Sequence, residues 1–356
     1  MPYMQYLLIA LLGLLSACGG RLPATESQAR YEALILSPTE RAILVLDLLT
    51  HRVRRRLVSG DVPSDLLVGS GGRIFVSHRQ EPAISVLQRN DPGTWYRIGK
   101  VGAGVTPGRL AWNETWQELL VAGEDQALLS IYTMPGLRRP VLSQTLRLDA
   151  RNSAPAGLVF SPEQDRLYVA GAILEAFARD DTGYVSLLRQ VLGEPDQQRI
   201  SDMLYAREHL WLADQRQDQL LVVSPETLET VQTIELSQPG YSAIFPARMA
   251  VNHTQTKLYL TGSGASVVQV IDLQARKHLQ TLSLQAEALR FPAGSPFGIA
   301  VSPDDRRVYV TAQSGRNLVI LEASPDVSVP ETILRTLGTA ESEALLPPLG
   351  TIRIFE

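Results

Sequence analysis

Four charged residues recur at one place in a repeated segment: Asp65, Arg109, Asp202 and Arg248. Each stands third, in PSD at 63–65, PGR at 107–109, ISD at 200–202 and PAR at 246–248. Glycine takes that place in PAG at 155–157 and PFG at 296–298. Two carboxylates and two guanidiniums at one level of a repeating frame permit two kinds of chemistry. Arginines facing a cleft can hold a carboxylate in bidentate fashion, giving a polar site for a small anion or a peptide terminus. Matched signs in adjacent copies, Asp65 with Arg109 and Asp202 with Arg248, equally suit ion pairs that pin neighbouring repeats. Guanidiniums among the carboxylates oppose a cation, so neither a metal nor a cofactor is expected.

Other chemistry is thinly represented. The five histidines (51, 78, 209, 253, 278) are scattered, and no two share the spacing of a metal or general-base cluster. There is no glycine-rich phosphate loop leading into a helix and no G-x-S-x-G elbow. An enzyme on this chain would have to draw its acid or base from Asp202, Asp65 or His78. A second group of candidates is aromatic. The segments 172–183, 237–246 and 284–296 are longer than tight turns; they carry Phe177, Tyr241, Phe245 and Phe291, and Phe297 follows the last. Exposed aromatics beside arginines are the usual anchors of a partner-binding face.

The elements that position these residues follow from the clearest copy, PFGIAVSPDDRRVYVTA at 296–312: an apolar run, a Ser-Pro-Asp-Asp turn and an alternating run. It reads as strand, tight turn, strand. Copies begin at 63, 107, 155, 200, 246 and 296, a period of 44–50 residues, and each is followed by two further alternating segments. Four short strands per repeat of about 40–50 residues are the signature of a propeller blade; no 3.6-residue periodicity competes with it. Three strands (31–36, 42–48, 52–58) precede the first full copy, and one isolated alternating strand, GTIRIFE at 350–356, follows the last. The expectation is an all-β, seven-bladed β-propeller spanning 31–356, its first blade completed by the C-terminal strand so that the ring has no open edge. The third-position residues then stand where the innermost strands begin, at the mouth of the central channel.

SPDDRRVYVTA with the following NLVILEAS, and LYLTG with VVQVIDLQ, resemble the YVTN family of β-propeller repeats. That resemblance implies seven blades in a secreted or surface protein and leaves activity open, since such repeats serve binding proteins, scaffolds and some lactonases. Residues 1–17 resemble a lipoprotein signal peptide: an apolar stretch at 7–15 is too short to span a bilayer, and Leu-Ser-Ala-Cys at 15–18 resembles a lipobox. The resemblance implies acylation of Cys18, which is the only cysteine, with 18–30 as a tether. By the same resemblance, Gly19 and Gly20 after it, where an aspartate is absent, imply sorting to the outer membrane, and the periplasmic side is expected ahead of the cell surface.

A single cysteine excludes disulfides and thiol catalysis. A net charge of −4 argues against a nucleic-acid partner. The densest charge run, Arg52 and Arg54–Arg56, suits either contact with lipid headgroups or protection of an exposed outer strand. The functional expectation is a lipid-anchored, non-catalytic binding or scaffold module, taking a protein or a small anion at the channel mouth. The alternatives are a propeller lactonase or hydrolase and a surface adhesin.

Overall fold

The structure is a computed structural model that describes residues 31–90, 94–134, 139–152, 154–192, 199–285, 293–314, 318–337 and 349–355. Cys18, the tether and Phe291 lie outside the described residues. The described strands form seven antiparallel sheets of four strands each. Strands β1 (Glu32–Ser37), β2 (Ala42–Asp47) and β3 (Arg52–Val58) make the first sheet, and β28 (Ile352–Phe355) pairs with β1, Ile35 opposite Ile352 and Glu32 opposite Phe355. The chain's last described segment therefore closes the ring, as the leftover strand in the sequence requires.

Each of the other six sheets is one sequence repeat, and its first strand is innermost: β4 (Pro63–Val68), β8 (Pro107–Asn113), β12 (Gly157–Phe160), β16 (Ile200–Ala206), β20 (Pro246–Val251) and β24 (Gly294–Val301). Middle strands have both faces against neighbouring blades, so their residues are apolar on both: β1 and β2 are buried throughout. The apolar core accordingly divides into seven clusters, one at each junction between blades. No helix among the described residues is long and apolar enough to cross a membrane.

The outermost strands alternate less cleanly and are largely exposed. In β3 the arginines face solvent, with Arg54 on Asp47 at 2.5 Å and Arg56 on Glu40 at 2.8 Å. Charge on an outer strand discourages edge pairing with another chain.

One expected loop is a strand. Residues 172–183 form β14 (Ile173–Asp180), which turns tightly into β15 (Gly183–Val191). The motif AILEAFA looks loop-like because it alternates poorly, but a middle strand is buried on both faces and has no need to alternate. Phe177 is therefore not on a protruding loop. It is 2% exposed and packs with Leu167 and Tyr184 between the third and fourth blades.

Candidate functional site

The site begins with a backbone irregularity. In five inner strands the pairing with the second strand slips beside the third-position residue, between Pro63 and Asp65, Pro107 and Leu110, Ile200 and Asp202, Pro246 and Met249, and Pro296 and Ile299. Such bulges bend a strand and re-aim a side chain. The amide freed by the slip is taken by a hydroxyl on the second strand. Asp65 donates to Ser77 Oγ at 2.9 Å, Arg248 to Thr261 Oγ1 at 3.0 Å and Gly298 to Thr311 Oγ1 at 2.9 Å. Thr261 and Thr311 in turn donate to the carbonyls of Phe297 (3.0 Å) and Gly350 (2.7 Å) in the following blades. The threonine of VYVTA thus joins a bulge to its neighbour.

The two aspartates repeat one geometry. Asp65 Oδ2 accepts the N–H of Leu110 at 3.2 Å, and Asp202 Oδ2 accepts that of Met249 at 2.8 Å, each in the next blade. The other oxygen differs: Asp65 Oδ1 accepts from Thr351 Oγ1 at 3.2 Å, whereas Asp202 Oδ1 meets Arg109 Nη2 at 2.6 Å. Arg109 reaches past a whole blade to do so. Its Nε donates to Ala156 O at 2.7 Å on the way, and Nη2 also donates to Ser201 O at 3.1 Å. Glycine at 157 suits this crowded stretch, since a Cβ there would stand 2.6 Å from Met203 Cβ.

The pairing expected from adjacent signs is therefore corrected. Asp65 does not pair with Arg109, nor Asp202 with Arg248; one ion pair spans two junctions, and Asp65 is held by a backbone amide and a hydroxyl. Arg248 is left over. Its Nη1 donates to the carbonyls of Ser201 (3.0 Å) and Ala247 (3.1 Å), its guanidinium lies 4.5 Å from the Phe297 ring centroid, and its buried Nε has no partner. Burial, and secondly the nearby Arg109 charge, push its pKa down to about 9, which still leaves it charged at neutral pH.

Asp65, Arg109, Arg248 and Phe297 line a cavity of about 560 Å³ at the channel mouth. Arg79, Arg151 and Arg199 complete its wall. Arg79 pairs with Glu124 and Arg151 with Asp149, while the Arg199 side chain makes no ion pair among the described residues. None of these three stands in a repeat motif, so repeat alignment misses them. Arg79 and Arg199 each adjoin a strand end that the repeats do locate, and that adjacency was the available signal.

The remaining candidates disperse. His78 is fully buried at the end of β5 (Arg73–His78), its Nε2 2.8 Å from Ser85 Oγ, and burial lowers its pKa. Tyr241 is part-buried against the cluster between the fifth and sixth blades. Phe245 is 46% exposed at a positive φ of 49°, in a turn whose amides at Ile244 and Phe245 both donate to Asp218 at 2.8 Å. No group of three or more metal-ligating side chains occurs among the described residues.

No protein-family model matches the chain, and no curated protein matches it in sequence. Solved structures do. A protein from Lactobacillus plantarum aligns over 92% of this chain and 100% of its own, at 15% identity and a TM-score of 0.76. A periplasmic gluconolactonase from Pseudomonas aeruginosa aligns over 92% and 99%, at 15% identity and a TM-score of 0.71. A candidate 6-phosphogluconolactonase from Bacteroides uniformis aligns over 92% and 100%, at 13% identity and a TM-score of 0.74. At these identities the likeness is one of fold.

Proposed function

We propose that this protein is a non-catalytic binding module that takes a small carboxylate-bearing anion at the mouth of its channel. Arg248 carries the reading. Among the described residues no carboxylate contacts this part-buried guanidinium, which has an aromatic face beneath it and an unpartnered Nε; Asp202 and Asp65 act on it only at a distance, and a carboxylate ligand would supply the direct partner. Arg199, which makes no ion pair among the described residues, adds a second guanidinium on the same wall. The groups an enzyme would need are occupied: both oxygens of Asp65 and of Asp202 accept hydrogen bonds, and His78 is buried.

A protein partner is less well supported than a small ligand, because Phe177 is in the core and Tyr241 is part-buried. The YVTN-like repeats and the lipobox-like segment around Cys18 extend the proposal to location: an acylated protein held at the outer membrane, its propeller on the periplasmic side.

Titration calorimetry with gluconate, on wild type and Arg248→Gln, tests the site. Charge-assisted hydrogen bonds contribute about 1.5–3 kcal/mol, so the variant should bind roughly 10- to 150-fold more weakly. Stability should change by no more than about 1 kcal/mol, because a lost cation–π contact offsets relief of a part-buried charge. Equal binding by both proteins would sink the proposal. A second reading is that the anion arises from a sugar lactone hydrolysed in the same cavity, as the names of two fold neighbours suggest. Proton release from glucono-lactone above the buffer rate would favour it, and a rate equal to buffer would exclude it for that substrate.

A further inference from the structure

The channel has a second cavity, of about 400 Å³, whose lining includes Leu67, Trp112, Leu158, Tyr205 and Arg353. Ser161, Pro162 and Gln164 also line it. They belong to the turn joining the first two strands of the fourth blade, so this cavity lies toward the face opposite the arginine-lined mouth. Its chemistry is different. Two residues along each inner strand from the third position stand Leu67, Ala111, Val159, Leu204, Ala250 and Ala300, and on β28 the corresponding residue is Arg353. Six blades contribute an apolar side chain at this level and one contributes a guanidinium.

Arg353 is part-buried, and its Nη1 donates to the carbonyl of its own neighbour, Ile352, at 3.1 Å. It makes no ion pair with any carboxylate among the described residues. In the upper ring Arg109 is matched by Asp202, but here the charge faces apolar side chains interspersed with Ser161, Gln164 and Tyr205, none of them anionic, and desolvating an unpaired cation is costly. A structural role would be served by leucine, the residue at the same level in β4 and β16. The guanidinium is therefore unexplained by packing.

We propose that this lower cavity is a second binding site, for a small amphipathic monocarboxylate. The carboxylate pairs with the Arg353 fork, and the hydrocarbon lies against Leu67, Leu158 and Tyr205. One arginine matches one negative charge; a phosphate would call for more donors than this wall offers. A guanidinium excludes an organic cation. The volume falls within the range of small-molecule pockets.

The test is calorimetric titration of the full chain with three probes of one tail length: octanoate, octan-1-ol and octylamine. A tryptophan-fluorescence change that disappears in Trp112→Phe locates the event, since, of the four tryptophans, that indole lines the cavity. Octanoate should bind at least tenfold more tightly than octan-1-ol, and octylamine least. Arg353→Leu should reduce octanoate affinity at least tenfold, leave octan-1-ol unchanged and leave gluconate binding at the mouth intact, while Arg353→Lys retains part of the preference. Octan-1-ol binding as tightly as octanoate would overturn the proposal. So would loss of octanoate binding in Arg248→Gln with none in Arg353→Leu, which would assign the carboxylate to the upper site. Because Arg353 sits in the closing strand, the three-probe comparison on wild type and Arg248→Gln decides the matter if the leucine variant does not fold: an octanoate preference kept in Arg248→Gln supports the lower site, and its loss overturns it.

Discussion

The wiring of the upper ring makes a prediction that separates it from the simpler pairing of adjacent signs. Arg109 and Asp202 are in contact at 2.6 Å with side chains only 12% and 14% exposed, whereas Arg248 makes no contact with Asp202. Two unit charges about 4 Å apart attract by about 4 kcal/mol at the dielectric typical of such sites, and desolvation cancels much of this. Removing one partner is another matter, because it strands the other. Asp202→Ala leaves the Arg109 charge on two carbonyls and also leaves the Met249 amide without its acceptor, at a cost of about 3 kcal/mol. Arg109→Ala leaves Asp202 still held by that amide, so we expect about 2 kcal/mol. The double variant should cost less than the sum, with a coupling of about 1–3 kcal/mol, while Arg248 with Asp202 should couple by no more than about 0.5 kcal/mol. Urea denaturation of the two cycles measures both. A coupling of Arg248 to Asp202 equal to or above that of Arg109 would refute the wiring.

Four further outcomes follow from the same structure. Gly298→Ala should destabilise by about 1–3 kcal/mol in a urea melt, since its Cβ would stand 2.6 Å from Gly350 O and 2.8 Å from Thr311 Oγ1, while Gly102→Ala, with nothing within 4 Å, serves as the neutral control. Ending the chain at 349 removes β28 with the buried Ile352 and Phe355 and bares the edge of β1; we expect aggregation on expression, and a monomer with wild-type thermal stability would contradict the closure. Burial depresses the folded-state pKa of His51, His78 and His278 below the ordinary 6.5, so the unfolded chain binds more protons and stability falls as pH drops through 6.5. His78→Gln should make that slope shallower by at most about 1.4 kcal/mol per pH unit in pH-dependent melts, and an unchanged slope would mean that His78 is not neutral in the fold. A second loss follows in acid. At Asp305 burial, which raises the pKa, is outweighed by the amides of Thr254 and His253, so its contribution is present above the unfolded value of 3.8 and disappears as pH falls through the lower folded value.

The frame was legible in the sequence because a propeller writes its geometry once per blade. A period of 44–50 residues, three unclaimed strands at the first end and one at the last together require closure, and β28 supplies it. What the repeats could not give was the direction of side chains within a level. Alignment put Asp65, Arg109, Asp202 and Arg248 in one ring but treated the ring as a circle of nearest neighbours. A guanidinium on a long stem reaches further than one blade, and Arg109 passes over the Ala156 carbonyl to reach Asp202. The bulges matter for the same reason. They shift the third-position residue out of the regular pleat, so its partners are set by backbone amides and carbonyls of the next blade, which carry no sequence signature. Segment 172–183 failed differently: a middle strand is apolar on both faces, so the alternation that identifies half-buried strands is missing where burial is greatest. Arginine was the readable residue throughout, and the informative arginines are those whose charge the fold does not answer. Arg109 is answered by Asp202 and belongs to the architecture. Arg248 and Arg353 stand on the lining of one channel, hydrogen-bonded only to backbone carbonyls among the described residues, with Phe297 beneath Arg248, and a cation without a contacting carboxylate in a concave wall is the feature that a ligand would complete.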